Sequence, residues 1–449
     1  MTETGINKGE SDARTPPGSR RAHFQDAVGL YCSVYRGYIE VLTLTGKYAR
    51  AMEMARKVVV VSGVLDDLQM KAYGLHIIGH AYFRLGDYSQ ALKHLDEARL
   101  IREGINDQPG LAESYLNQGN IHAGHGDYVK ALECFQQSMS VYRELGSKKG
   151  EAACHLSIGN IHYGQGEYDP AMNHYQESLA IRAEIGDRVG QAKSLHSIDN
   201  IHYCRGELDQ SLECNNRAQK IRAEIGDRAG QAAGFLNLSN IHQLRQEWAK
   251  ALDQAERSLA IRREIGERVG QVGCLNIIGG IHAQLGEHRL SLEIFQESLR
   301  IQEEMGHKLD RCVTICSLAA AKIDLGEFYG TEDLLEAGFT LAIEMGSAAD
   351  EAKCHEIYGK LFAEKGSLEQ ASERYLKALD IYQGMQNEYD AAQMRIAYGH
   401  ILARKGLHRE AAGQLSQARD LFRKMALEPL AQEVEKELEA LAGSAKRNI

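Results

Sequence analysis

Five histidines stand forty residues apart in this chain: His122, His162, His202, His242 and His282. Imidazoles at even spacing suggest a metal site or a proton relay, but geometry argues against both. If they sit on equivalent helices of a repeat, those helices lie about 8–10 Å apart. Two nitrogens on one zinc, each about 2.0–2.1 Å from the ion, must come within about 3–4 Å of each other. Side chains repeated in one rotamer run parallel, so the ladder reads as imidazoles filling an aromatic slot between helices. Cys312 and Cys316, four apart, could clip an ion from one helix face. No second pair stands at a useful spacing, and they read as buried small hydrophobes. The chain shows no phosphate-binding glycine loop, no H-E-x-x-H and no G-x-S-x-G. Its carboxylates fall in helical pairs such as Asp253 with Arg257. No enzyme, cofactor or metal is expected.

Two further ladders carry recognition chemistry. Asn120, Asn160, Asn200 and Asn240 recur in phase, and an amide offers two donors and an acceptor to a peptide backbone of any sequence. Asparagine is also a poor helix former, so four in register ask for a reason. Arg188, Arg228 and Arg268 form the second ladder and could clamp carboxylates bidentately. The bland readings stand beside these: water-exposed repeat residues for the amides, and loop charges completing a helix C-terminus for the arginines.

The elements that position these residues follow from one period. Gly79, Gly119, Gly159, Gly279, Gly359 and Gly399 share a phase; Gly86, Gly126, Gly166, Gly206, Gly286, Gly326, Gly366 and Gly406 share another. Such constancy is the mark of a repeat array. In the fourth unit Ala152, Leu156, Ile158, Gly159 and Ile161 lie at helical spacing, and Gly166 stops that helix. Glu167 or Asp169 can accept the orphan N–H groups of the next helix, with Pro170 in its first turn. That helix is expected to bury Ala171, Tyr175, Ser178, Ile181 and Ile185 before Gly186 ends it. The fifth unit departs from the pattern, with Asp199 for glycine, Ser211 for alanine and Asn215 for the aromatic. A buried carboxyl needs partners, so Asp199 should bond to Ser211 or Asn215. Ser239 and Gln246 also replace glycines, and a weaker joint is expected near residues 192–246.

Residues 1–21 read as a disordered arm, 22–431 as an array of about ten 40-residue repeats, and 432–449 as a capping helix and frayed tail. A net charge of −10 gives no support for nucleic acid as a partner, and no apolar stretch is long enough to span a membrane. Nine cysteines without a leader-like apolar run suggest reduced thiols and a cytoplasmic location.

At Ile158-Gly159, His162, Gly166, Ala171, Tyr175 and Ser178 the chain resembles the tetratricopeptide repeat family. The usual period there is 34; the longer unit is similar to the repeat half of the LGN/Pins adaptors and to bacterial repeat sensor arrays. The five histidines stand where that family usually has tyrosine. The G-protein-binding motifs of the adaptors are missing. The resemblance implies an all-α, right-handed superhelical solenoid of helix pairs. It also implies a concave groove on the stripe that carries Ala153, Leu156, Asn160 and Tyr163. A peptide-binding groove of Asn120, Asn160, Asn200, Asn240, Tyr163, Tyr203, Arg188, Arg228 and Arg268 is therefore expected. It would hold an extended partner segment with some acidic residues, in a protein-protein scaffold or adaptor. The alternative is a regulatory sensor that binds a signalling peptide or small ligand and switches an effector on another chain.

Overall fold

Each half-period carries a stripe of small and apolar residues at helical spacing and ends in a residue that leaves helical φ, so the forty-residue period becomes alternating helices. The computed structural model describes residues 34–43, 48–85, 87–306, 310–425 and 427–447. The arm expected over residues 1–21 lies outside them. No strand occurs among the described residues. They divide between Ile221 and Arg222 into two compact units.

The first unit holds α1 (residues 34–43), α2 (Tyr48–Leu65), α3 (Leu68–Arg84), α4 (Tyr88–Gly104), α5 (Gln108–Gly124), α6 (Tyr128–Glu144), α7 (Lys148–Gly164), α8 (Tyr168–Glu184), α9 (Arg188–Cys204) and most of α10 (Leu208–Glu224). The second holds α11 (Arg228–Leu244), α12 (Trp248–Glu264), α13 (Arg268–Gln284), α14 (His288–Met305), α15 (Arg311–Asp324), α16 (Thr331–Met345), α17 (Ala348–Glu364), α18 (Leu368–Gly384), α19 (Glu388–Arg404), α20 (His408–Lys424) and α21 (Glu428–Arg447). Within each unit a first helix pairs with the second helix that follows, and that second helix packs on the next first helix. Each unit is an all-α solenoid segment.

The pair α7/α8 shows how sequence sets the packing. Ser147 caps α7 by accepting from the Gly150 N–H at 3.4 Å, and Gly166, at φ +78°, ends the turn after it. Gly159 then makes the room that the second helix fills. A Cβ there would stand 2.6 Å from the ring of Tyr175, which is buried to 2% exposure. Filling that slot with an aromatic ring stabilises the pair by about 1.5–3 kcal/mol. Phe135 fills the space over Gly119, and Tyr375 the space over Gly359, in the same way. Ser178 crosses between the helices, its hydroxyl donating to the Ala152 carbonyl at 2.8 Å. Ser138 and Ser258 repeat the bond at 2.7 Å to Ala112 and Ala232.

Three local expectations are revised. Ile185 is exposed (39%) at the end of α8, and the buried residue there is Arg182. Glu167 makes no side-chain cap to α8, because its carboxylate is taken by His162. At the C-terminus α21 continues through Gly443 to Arg447, past the point where a frayed tail was expected. Its Ala431 and Val434 are buried against α20, with Leu430, Leu438 and Leu441 beside them, so it covers the last pair as a lone first helix would.

Candidate functional site

In the first unit the asparagine ladder occupies the last turns of first helices, with Asn120 on α5, Asn160 on α7 and Asn200 on α9. Asn160 is exposed and the other two are half-buried. The buried ring of Tyr175 ends in a hydroxyl that donates to Asn160 Oδ1 at 2.8 Å. That bond fixes the amide and leaves its two N–H donors uncommitted. Beside it, Tyr163 reaches the following first helix, its hydroxyl 3.2 Å from Cys204 Sγ, and packs its ring 5.8 Å from that of Tyr168. The bond to Cys204, then burial, holds the Tyr163 phenol above its ordinary value. Burial does the same for half-buried Tyr203 on α9. Asn160 and Tyr163 thus share one face of α7 with Leu156, while Asn200 and Tyr203 repeat the arrangement on α9. In the second unit Asn240 stands at the same point of α11, its Oδ1 accepting from Gln243 at 3.4 Å.

The arginine ladder lies elsewhere. Arg188, Arg228 and Arg268 are the first residues of α9, α11 and α13, so they do not complete helix C-termini as the bland reading had it. Arg228 is ion-paired to Glu264 and Arg268 to Glu304, each Glu at the end of the next second helix. Arg188 donates to Gln191 Oε1 at 3.1 Å. Their guanidinium groups are committed to ties within the chain.

The histidine ladder serves the turns. His162, His202, His242 and His282 each place Nδ1 at 2.5–2.6 Å from the glutamate five residues on, namely Glu167, Glu207, Glu247 and Glu287. Each imidazole therefore clasps the turn between its own two helices. His162 also stacks on His174 (centroids 5.6 Å apart), whose Nδ1 lies 3.0 Å from that of His155. Burial lowers both His155 and His174, and the contact lets one ring donate to the other. Cys312 and Cys316 are buried as expected and are joined by Cys354.

Sequence reasoning passed over the buried arginines. Arg182 Nη1 donates to the Gly190 carbonyl at 2.7 Å, and a Cβ on Gly190 would fall 2.5 Å from Arg182 Cδ. Arg102 does the same toward Gly110 at 2.8 Å and adds Ser114 at 2.8 Å. Charge in these places stitches a second helix to the first helix of the next repeat. The available signal was the recurring glycine eight residues after each arginine.

A tetratricopeptide repeat family model matches residues 71–144, 119–184 and 190–264. These stretches are tetratricopeptide repeats. No curated protein matches the chain. Among solved structures, the apo quorum sensor NprR from B. thuringiensis is similar over 75% of this chain and 97% of its own, at 15% identity and a TM-score of 0.56. A Rap protein complexed with competence and sporulation factor is similar over 80% of this chain and 99% of its own, at 16% identity and a TM-score of 0.55. Aspartyl phosphate phosphatase F from Bacillus subtilis is similar over 94% and 96%, at 12% identity and a TM-score of 0.54. At such identities the likeness concerns the fold. Tetratricopeptide repeat arrays are protein-interaction and peptide-binding modules, and no helix among the described residues is long and apolar enough to cross a membrane.

Proposed function

We propose that this tetratricopeptide repeat protein is a non-catalytic adaptor that grips an extended segment of a protein partner along its first-helix faces. The observation that carries the reading is Asn160. Its carbonyl is fixed by the Tyr175 hydroxyl, so the exposed amide group is oriented in advance for a peptide carbonyl. Asn120 and Asn200 extend that row in the first unit, and Tyr163 and Tyr203 offer flat amphipathic surfaces beside it. Asn240 offers the same chemistry in the second unit. Acidic partner residues would have to displace Glu264 and Glu304 from Arg228 and Arg268, so backbone recognition by the amides supplies the main affinity. In this reading the partner is a protein, neither nucleic acid nor membrane, and the free cysteines are in keeping with a cytoplasmic location.

The test begins with an extended-peptide library selected against the full chain. The selected peptide is then titrated against the Asn160→Ala/Asn200→Ala protein. Each amide lost removes about 1–2 kcal/mol, so the double change weakens binding by roughly 30- to 1,000-fold while helicity is unchanged. Unchanged affinity with intact helicity would remove the amides from the reading. The second reading, a regulatory sensor, is favoured by the likeness to a quorum sensor and to a Rap protein caught with a factor. It requires that the selected peptide alter the affinity of a second protein for this chain, and reciprocally.

A further inference from the structure

Three thiols that are far apart in sequence meet in the core of the second unit. Cys312 and Cys316 lie one turn apart on α15, and Cys354 comes from α17. Sγ of Cys354 is 3.5 Å from that of Cys312 and 3.6 Å from that of Cys316, and all three sulfurs lie within 4.8 Å of one another. They are 2%, 0% and 0% exposed, among Ala319, Leu335, Ile357 and Tyr358.

Comparison along the chain shows that this meeting is local. Cys154 and Cys274 hold the position of Cys354 in other repeats, and each gives its thiol to a serine hydroxyl, Ser138 at 3.4 Å and Ser258 at 3.2 Å. At Cys354 that serine is replaced by Gly338, whose missing Cβ would stand 3.6 Å from the sulfur. The hydroxyl is gone, and two further thiols on α15 take over as partners.

Three sulfurs each about 2.3 Å from a common centre lie about 3.8 Å apart in a tetrahedral arrangement and about 4.0 Å apart in a planar one. Two of the three edges, 3.5 and 3.6 Å, are already near these values, and the third lies within 4.8 Å. Among the described residues no fourth histidine, cysteine or carboxylate joins the group, which disfavours zinc, whose structural sites take four ligands. Thiolates select soft ions, and charge narrows the choice in a core this apolar. Three thiolates leave a net −2 around a monovalent ion and −1 around a divalent one, but none around a trivalent one, and a buried net charge is costly.

We propose that Cys312, Cys316 and Cys354 form a buried three-sulfur site for one soft, thiophilic ion, with trivalent arsenic the ion that leaves it uncharged. The step balances without electron transfer: As(OH)3 and three thiols give As(SR)3 and three waters. Three As–O bonds break, three As–S bonds form, and each thiol proton leaves on a hydroxide. Cys312 is the second residue of α15, so opening the first turn of that helix gives the ion its way in. This inference is independent of the peptide-binding reading.

The experiment incubates the reduced, full-length protein with sodium arsenite in one arm and cadmium chloride in the other. Bound ion is counted after dialysis, and the number of coordinating sulfurs is read by X-ray absorption. The expected result is one arsenic per chain bound through three sulfurs, with far-UV circular dichroism unchanged. Cadmium in place of arsenic at three sulfurs would keep the site and overturn the charge argument. Cys312→Ser, Cys316→Ser and Cys354→Ser should each weaken binding by more than about 100-fold, the loss that removing even a ligand's hydrogen-bond partner can reach. Cys204→Ser, at an exposed thiol, should leave it unchanged. No stoichiometric binding of either ion, coordination by fewer than three sulfurs, or binding that survives the three serine changes would overturn the proposal. If a serine variant fails to fold, the sulfur number in the wild-type complex decides alone.

Discussion

Asp199 replaces the glycine that receives a ring at Gly119, Gly159, Gly279 and Gly359, and the structure shows how the repeat accommodates it. The residue opposite has shrunk to Asn215, so side-chain bulk has moved from the second helix to the first. Ser211 Oγ donates to Asp199 Oδ1 at 2.5 Å and Asn215 Nδ2 to Oδ2 at 3.0 Å, and all three residues are at most 1% exposed. Replacing Asp199 by alanine strips both donors of this acceptor. A buried polar group left without its partner costs about 1–3 kcal/mol, so the change should cost about 2–4 kcal/mol once some relaxation is allowed. The compensating variant Asp199→Gly/Ser211→Ala/Asn215→Tyr rebuilds the Gly159, Ala171 and Tyr175 arrangement, with the new hydroxyl opposite Asn200. It should recover all but about 1 kcal/mol, since replacing both partners together is nearly neutral. Repeat arrays open in parts, so the assay is native-state hydrogen exchange of α9 and α10 rather than a single melting curve. The single change should speed exchange there roughly 30- to 1,000-fold. Unchanged protection, or a triple variant no better than the single one, would refute the exchange of bulk and bonds between the two helices.

Two further outcomes are expected. Gln246 holds φ +57° in the turn between α11 and α12, so Gln246→Gly should stabilise that pair by about 1 kcal/mol, and faster amide exchange in either helix would contradict this. His76 is fully buried, and burial followed by the Arg102 charge pushes it down to about 3; burial and Arg374 push His355 down to about 4. Unfolded histidine titrates near 6.5, so below about pH 6.5 the unfolded chain binds more protons. Stability contributed above that pH is then lost as pH falls toward those folded values, by up to about 1.4 kcal/mol per pH unit for each histidine. Arg102 Nη1 donates to His76 Nδ1 at 3.2 Å, which puts the ring proton on Nε2, 3.7 Å from the Glu113 carboxylate. His76→Gln keeps an acceptor without a titrating ring and should flatten the acid unfolding curve; an unaltered slope would remove His76 from the account.

The architecture was legible because it is written repeatedly in one phase. Helix starts, stops and the bonds of Asp199 followed from a small vocabulary of glycines, caps and buried stripes. The departures behind the weaker joint expected over residues 192–246 are of unequal cost. Asp199 is satisfied, whereas Ser239 carries a buried hydroxyl with no partner and Gln246 carries an unfavourable φ. Arg182 was missed because a long charged side chain reads as surface, although its neutral stem and a glycine opposite let it lie buried. The clasp of each histidine on a glutamate five residues later was visible as a spacing, but a search for shared metal ligands looks between repeats and passes over it. Tyr175 was assigned to the core correctly, and nothing in the one-dimensional pattern says that its hydroxyl reaches Asn160. Such links depend on which side chains two helices bring face to face.

The period therefore constrains pairs of positions more tightly than single ones. The glycine slot takes glycine with tyrosine, phenylalanine or leucine, or aspartate with asparagine; Tyr175 and the Asp199–Asn215 pair add hydrogen bonds to the packing. The serine slot takes serine with cysteine twice, and at Gly338 it has neither a hydroxyl nor a Cβ while sulfur gathers around Cys354. A residue that looks anomalous along one helix becomes ordinary when the residue sixteen positions later has changed to match. Asp199 is of this kind, because Asn215 answers it. Cys312 and Cys316 are not, because the array packs without sulfur at both positions in other repeats, where alanine and leucine serve at Ala152 and Leu156. Departures answered by their partner preserve the fold, and departures that assemble a surplus of one chemistry are the places to look for a ligand.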